Sequence, residues 1–338
     1  MHHLKSKITL SRLFFFITCF LFSTALLAQY PPAAGKPGTT AIYKDSSAFI
    51  GWASTCTIER GFINISDTTE LYNGVNKTTY GSYLYASGPA DELVVSLGDH
   101  GSALLSFDIP IVNKPGPDFA VFENSFGDAF LELGFVEVSS DGERFVRFPA
   151  VSLTPETLQI RTFDTIDATK IHNFAGKYRH GYGTPFDLDD IKDSSGIDLN
   201  NIFRIRIIDA IGCITSPFTT FDSQGHKVND PWPTPFDTGG FDLDAVGVIH
   251  NQTSGFGEIS GLLQICIYPN PVISSVTFDA PLLSGLNVKV TDLTGKVLSE
   301  CDFSGKKFFD MASYPAGIYF ASFSAKDGNT VTKKIVKY

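Results

Sequence analysis

The chain has 338 residues, 43% hydrophobic and 18% charged, a make-up that excludes a disordered protein. Its net charge of −10 is uneven: residues 1–28 carry +3, residues 263–338 carry +2, and residues 29–262 carry −15. That acidic middle, over 200 residues long, repels nucleic-acid phosphates, can bury a substantial core, and suits solubility and cation binding.

Lys5, Lys7 and Arg12 precede the apolar run "LFFFITCFLFSTALL", and Ala28 stands just before Gln29. A basic start, an apolar run and a small residue at the cut describe a secretory signal, so residues 1–28 are read as a signal peptide. The run is shorter than the ~20 residues that span a bilayer. No later segment is apolar enough either, so no transmembrane segment is expected in the mature chain. Residues 29–50, rich in Pro, Gly and Ala, read as a linker.

Strand-like runs then recur: "LVVSL" (93–97), "ALLSFDIPI" (103–111), "FAVFE" (119–123), "LELGFVEVSS" (131–140), "FVRFP" (145–149), "IFRIRIID" (202–209) and "FDLDAVGVI" (241–249). Turns such as "KPGPD" and "SSDGE" separate them, and no amphipathic helical stretch of comparable length competes. Residues 51–250 are therefore expected to be all-β, a jelly-roll β-sandwich. The long polar stretch 150–200 is too large for a simple loop and should carry extra ordered structure at one end of the sandwich. Residues 251–262 form a second linker, and residues 263–338 read as short alternating strands, a small Ig-like β-sandwich.

That last segment carries "IYPNPV", "DLTGKV", "PAGIY" and a basic "KKIVK" end. Together these resemble the C-terminal sorting domain of the Bacteroidetes type IX secretion system. The resemblance implies a partner, the type IX secretion machinery engaged through residues 263–338. It also implies a destination, extracellular or attached to the cell surface. In the middle module, "VEVSSDGERFVRF", "IFRIRIIDA" and "FDLDAVGVI" resemble discoidin-like, galactose-binding-like jelly rolls of bacterial surface proteins. That fold serves many ligands, so it does not by itself name one.

Acidic residues gather in three places: Asp118, Glu123 and nearby Asp128, with the amide Asn124 beside them; Asp187, Asp189 and Asp190; and Asp237, Asp242 and Asp244. Calcium takes oxygen ligands from such loops, and a structural calcium ion is expected on Asp118, Glu123, Asn124, Asp242 and Asp244. Turn chemistry alone is the competing account of the same residues. Strand parity restrains the calcium set. Asp118 and Asn124 point to one face and Glu123 to the other, so one ion takes both acids only if a bulge re-aims one. Asp242 and Asp244 share a face. Tyr178, Arg179, Tyr182 and Trp232 lie in Pro- and Gly-held loops and are the expected ligand-binding residues, with rings suited to stacking on sugars; plugging the sandwich end is the alternative.

No catalytic residue is assigned: G-x-S-x-G, H-E-x-x-H and the P-loop pattern are all absent, and the histidines are scattered. Cys56, Cys213, Cys266 and Cys301 allow three pairings, or none. The expected function is a secreted binding or adhesion protein, non-catalytic, that recognises an extracellular carbohydrate or small ligand and not nucleic acid. The alternatives are a glycan-acting hydrolase with paired carboxylates, an accessory in nutrient capture such as that of cobalamin, or a purely structural surface protein.

Overall fold

The computed structural model describes residues 30–252, 265–280, 283, 285–325 and 330–338. The expected signal peptide and nearly all of the expected second linker lie outside the described residues. Regular structure is almost wholly strand; the helical elements among the described residues are two 3-10 turns, Ala168–Lys170 and Leu188–Ile191. No helix among the described residues is long and apolar enough to cross a membrane.

Two antiparallel sheets form the larger sandwich. One runs Ile42–Tyr43, Tyr182–Phe186, Phe119–Glu123, Asp242–Val248, Gly51–Trp52, with Val95–Ser96 also paired to Asp242–Val248. The other runs Thr55–Glu59, Ser102–Ile111, Ile202–Asp209, Gly134–Ser139, Val146–Arg147. Phe119–Glu123 has a neighbour on each side and cover on both faces, which is why its apolar run does not alternate with polar residues. Phe119 and Val121 enter the core between the sheets, while Ala120 and Phe122 pack outward with Phe49 and Trp52. Phe119 stacks on Phe186 at 5.3 Å, and Phe148 meets both rings edge-on. Each such pair adds roughly 0.5–1.5 kcal/mol beyond the area it buries.

The same alternation places charge where a core is usually apolar. Glu123 follows Phe119 and Val121 on the inward face, and on the facing sheet Asp209 follows Ile205 and Ile207. Both acids are buried. They come from opposite sheets and meet at one end of the sandwich. The strand Asp242–Val248 also slips by one residue between Leu243 and Ala245 against Phe119–Glu123, leaving Asp244 as the extra, bulged residue.

A second core of Leu131, Leu133, Phe135, Ile160, Ile171 and Phe174 closes this end. It gives the long 150–200 segment the ordered structure expected of it. The described residues between 265 and 338 form a separate small sandwich, a three-stranded sheet facing a four-stranded one around Phe278, Met311, Phe323 and Ile335. This is the small Ig-like domain expected from the alternating strands. Cys56 and Cys213 are buried as free thiols, and burial pushes Cys56 up to about 12.

Candidate functional site

At the acid-bearing end of the sandwich lies a cleft of about 290 Å³. It is lined by Tyr80, Asn124, Phe126, Phe130, Glu132, Thr162, Phe163, Thr234, Phe236, Thr238 and Asp242. Four of its rings form a row: Phe126 to Phe130 is 6.1 Å, Phe130 to Phe163 is 6.4 Å, and Phe163 to Phe236 is 6.2 Å. Phe126 is 79% exposed and Phe163 is 76% exposed, so two of the four rings are wet. Two other hollows lie at the junction with the C-terminal domain, against Cys266–Tyr268 and Tyr268–Ser275, and bring together no comparable group of buried acids.

Three loops hold these rings, and each is fixed locally. Glu123 Oε2 accepts from Ser125 N at 2.8 Å, and Ser125 Oγ donates to the carbonyls of Gly127 and Phe130, folding the turn that projects Phe126. Arg161 and Asp164 pair across a tight turn with Phe163 near its tip, and Thr162 donates to the Pro233 carbonyl at 2.7 Å. The third loop, "TPFDTGG", places Phe236; its Asp237 carbonyl receives both Thr79 N and Tyr80 N. Gly240 sits at φ +71° beneath it, and a Cβ there would come within 2.7 Å of Asp209 Oδ1, so glycine is required on two counts.

Below the rings is a floor of carboxylates. Asp209 accepts Phe241 N at 2.8 Å and His100 N at 3.0 Å, Asp230 accepts Leu133 N at 2.6 Å, and Asp99 accepts Ile65 N at 2.7 Å. Asp242 accepts the Ser96 hydroxyl at 2.5 Å. Burial pushes all of them up, and neighbouring negative charge adds to it for Asp209 and Asp230. Burial raises Asp99 to about 6 and Asp242 to about 7. Burial together with Asp99 raises Asp209 to about 8. Glu123 and Asp230 are held well above the usual carboxylate range, by burial first. Glu132 is raised in the same way, by burial and then by the charges of Asp242, Glu123, Asp230 and Asp209. Among the described residues, Glu123 Oε1 and Asp230 Oδ1 have no hydrogen-bond partner although both side chains are buried.

The five residues expected to hold calcium do not converge. Asp118 sits at the far end of its strand from Glu123, about 17 Å away at ~3.3 Å per residue. There it accepts His250 Nδ1 at 2.8 Å, Lys114 N at 3.0 Å and Leu188 N at 2.9 Å. Asp118 thus ties three separate segments of the chain together. The bulge falls on Asp244 rather than on the Asp118 strand, and Asp244 is spent on the amides of Asp91 and Glu92. Only Glu123, Asn124 and Asp242 gather at the cleft end. Among the described residues, no group of three or more Asp, Glu, His or Cys is arranged to hold a metal ion.

The expected ligand-binding residues also separate. Tyr178 is 1% exposed and its hydroxyl pairs with Thr40 Oγ1 at 2.8 Å, so it has no face to offer a sugar. Arg179 pairs with Asp128 and lies over the Tyr182 ring at 4.8 Å. Tyr182 opens a sheet strand and packs on Tyr43. Trp232 is partly buried; its indole N–H approaches Asp99 but falls outside hydrogen-bond geometry. We expect Tyr178→Phe to cost about 1 kcal/mol, one lost hydrogen bond, and to leave ligand binding unchanged. Calorimetry and ligand titration check the two halves; weakened binding would return Tyr178 to the site.

Sequence reasoning missed the phenylalanines and the acids Glu132, Asp209, Asp230 and Asp99. The signal for the acids was present: Asp209 and Glu132 each sit inside or at the end of an apolar strand-like run, where a charge is costly without a purpose.

Residues 266–338 match the family model described as the secretion system C-terminal sorting domain. Comparison with curated proteins returns no match. Among solved structures, a DUF3244-family protein of Bacteroides vulgatus with an immunoglobulin-like β-sandwich is 20% identical over 22% of this chain and 84% of its own, TM-score 0.20. PorZ, a surface component of the type IX secretion system of Porphyromonas gingivalis, is 12% identical over 79% of this chain and 41% of its own, TM-score 0.22. A β-glucuronidase of Ruminococcus gnavus is 11% identical over 84% of this chain and 46% of its own, TM-score 0.21. This chain therefore spans less than half the length of the last two, and scores near 0.2 transfer no activity. The matched tail does carry a conclusion: residues 266–338 mark this protein for the type IX secretion machinery, and it is exported across the outer membrane, attached to the cell surface or secreted.

Proposed function

We propose that the larger sandwich is a non-catalytic binding module of the cell exterior, with its ligand in the phenylalanine-walled cleft. One observation supports this most directly: a row of stacked rings, two of them more than three-quarters exposed, stands over buried acids instead of closing into the core. Such rings offer flat apolar faces, and Asn124, Thr162, Thr234 and Thr238 offer hydrogen bonds around them. A carbohydrate or another small extracellular molecule with one apolar face and several polar groups suits this lining.

Phe126→Ala and Phe163→Ala should each weaken retention on glycans about three- to tenfold, the loss of one stacking ring. Both rings are exposed, so stability should change by no more than about 0.5 kcal/mol. Glycan-array binding and calorimetry of the full chain test this. Unchanged retention in both variants would remove the cleft from the reading.

One observation favours a hydrolase as the second reading. Glu132 and Asp242 both line the cleft, and the charge of Asp242 helps raise Glu132. A raised acid beside a second carboxylate is the relation glycoside hydrolysis uses. Release of new reducing ends from an extracellular polysaccharide, lost in Glu132→Gln, would establish turnover in place of simple binding.

A further inference from the structure

We infer that the cleft takes an organic cation: a small molecule with a protonated amine or a quaternary ammonium group beside an apolar face. The inference rests on the binding reading above and narrows it. Both charged residues in the lining, Glu132 and Asp242, are acids, and no lysine or arginine lines the cleft. Behind them stand Glu123, 1% exposed, and Asp230, 4% exposed, each with one carboxylate oxygen that has no partner among the described residues. Carboxyl groups are therefore gathered below the rings with no ion-paired cation among the described residues, and a bound cation would favour their ionised form.

Arg60 is a cation that acts on Asp242, but it forms no ion pair with it or with the other acids. Its guanidinium donates to the carbonyls of Tyr80, Ser96 and Gly81 at 2.7, 2.5 and 2.7 Å. Among the described residues, none of Glu123, Glu132, Asp209, Asp230 and Asp242 has a salt bridge.

The walls point to the same chemistry as the floor. A phenyl face is negative and attracts a cation, and the attraction grows where water is excluded. Phenyl rings give a metal ion no oxygen, whereas an ammonium group with CH surface around it satisfies rings and carboxylates together. An anionic sugar would be repelled by the floor, and a neutral one would leave its charge unmatched.

The test is calorimetric titration of the full chain with glucosamine, N-acetylglucosamine, glucose and choline. Glucosamine should bind at least about tenfold tighter than the two neutral sugars. Glu132→Gln and Asp242→Asn should each erase that preference, and Phe163→Ala should weaken glucosamine and choline alike. Equal binding of all three sugars overturns the cation inference and leaves the binding module standing. Choline binding without any sugar binding supports the cation and removes carbohydrate as the partner. Binding of none of the four overturns both. A calcium-dependent rise in melting temperature that Glu132→Gln abolishes makes a metal ion the occupant and overturns the organic cation.

Discussion

Asn229→Ala should cost about 3–5 kcal/mol of stability and weaken ligand retention about three- to tenfold, as Phe163→Ala does, although Asn229 does not line the cleft. Its side chain is completely buried and satisfied at both ends. Oδ1 accepts from Ile160 N at 2.9 Å and from Gln159 Nε2 at 3.0 Å. Nδ2 donates to the carbonyls of Pro155 and Leu158 at 2.5 and 2.8 Å. One residue thus stitches the whole 155–160 loop to the strand-poor segment that follows the second core. Alanine would leave the Ile160 amide and two carbonyls without partners. A buried polar group left that way costs about 1–3 kcal/mol.

The functional loss follows from what the loop carries. Ile160 is anchored in the second core, and two to three residues later come Thr162 and Phe163, a wall of the cleft. Once Pro155–Ile160 loosens, the row of rings loses the member between Phe130 and Phe236. Calorimetry reads the stability, and hydrogen exchange of the 155–163 amides reads the local release. A loss under about 1 kcal/mol, with those amides still protected, would show that the loop is held by Arg161, Asp164 and Thr162 alone.

How much of this was legible in the sequence differs between the frame and the site. The expected strands "FAVFE" and "IFRIRIID" coincide with Phe119–Glu123 and Ile202–Asp209 because long apolar runs bounded by turns leave little choice. The strand Tyr182–Phe186 was hidden inside "GYGTPFD", whose Gly and Pro read as a loop. It forms because its neighbour Ile42–Tyr43 pairs only with Gly183 and Tyr182, so Pro185, which has no N–H to give, meets no partner on that side. The two T-P-F-D stretches show the limit of local pattern. In one, Phe186 enters the core and Asp187 caps a 3-10 turn; in the other, Phe236 stands in the cleft. The cleft itself was not legible. Its four phenylalanines lie at positions 126, 130, 163 and 236 and share no spacing, so only the fold brings them into a row.

The carboxylate floor makes a second large effect, on pH. The full chain should melt on the order of 10 °C higher at pH 5 than at pH 8. The direction follows from the proton balance. Unfolded carboxyls lose their protons near pH 4. In the folded protein Asp99 holds its proton to about 6, Asp242 and Asp244 to about 7, and Asp209 to about 8, with Glu123, Glu132 and Asp230 also raised. The folded state therefore binds more protons across that interval, and stability is lost as pH rises through it. Each group contributes at most about 1.4 kcal/mol per pH unit, and their mutual coupling makes the sum smaller. Lys177, which burial pushes down to about 8, acts only above this window. Glu123→Gln should flatten the slope and raise stability at pH 8, because the amide keeps an acceptor for Ser125 N and removes one buried charge from beside Asp242. A melting temperature at pH 8 equal to that at pH 5 would mean that the floor's charge is already balanced in solution. Choline supplies the decisive comparison, since its charge is permanent and a cation seated on these carboxylates must raise the pH 8 melting temperature more than the pH 5 one, where protons already fill its place.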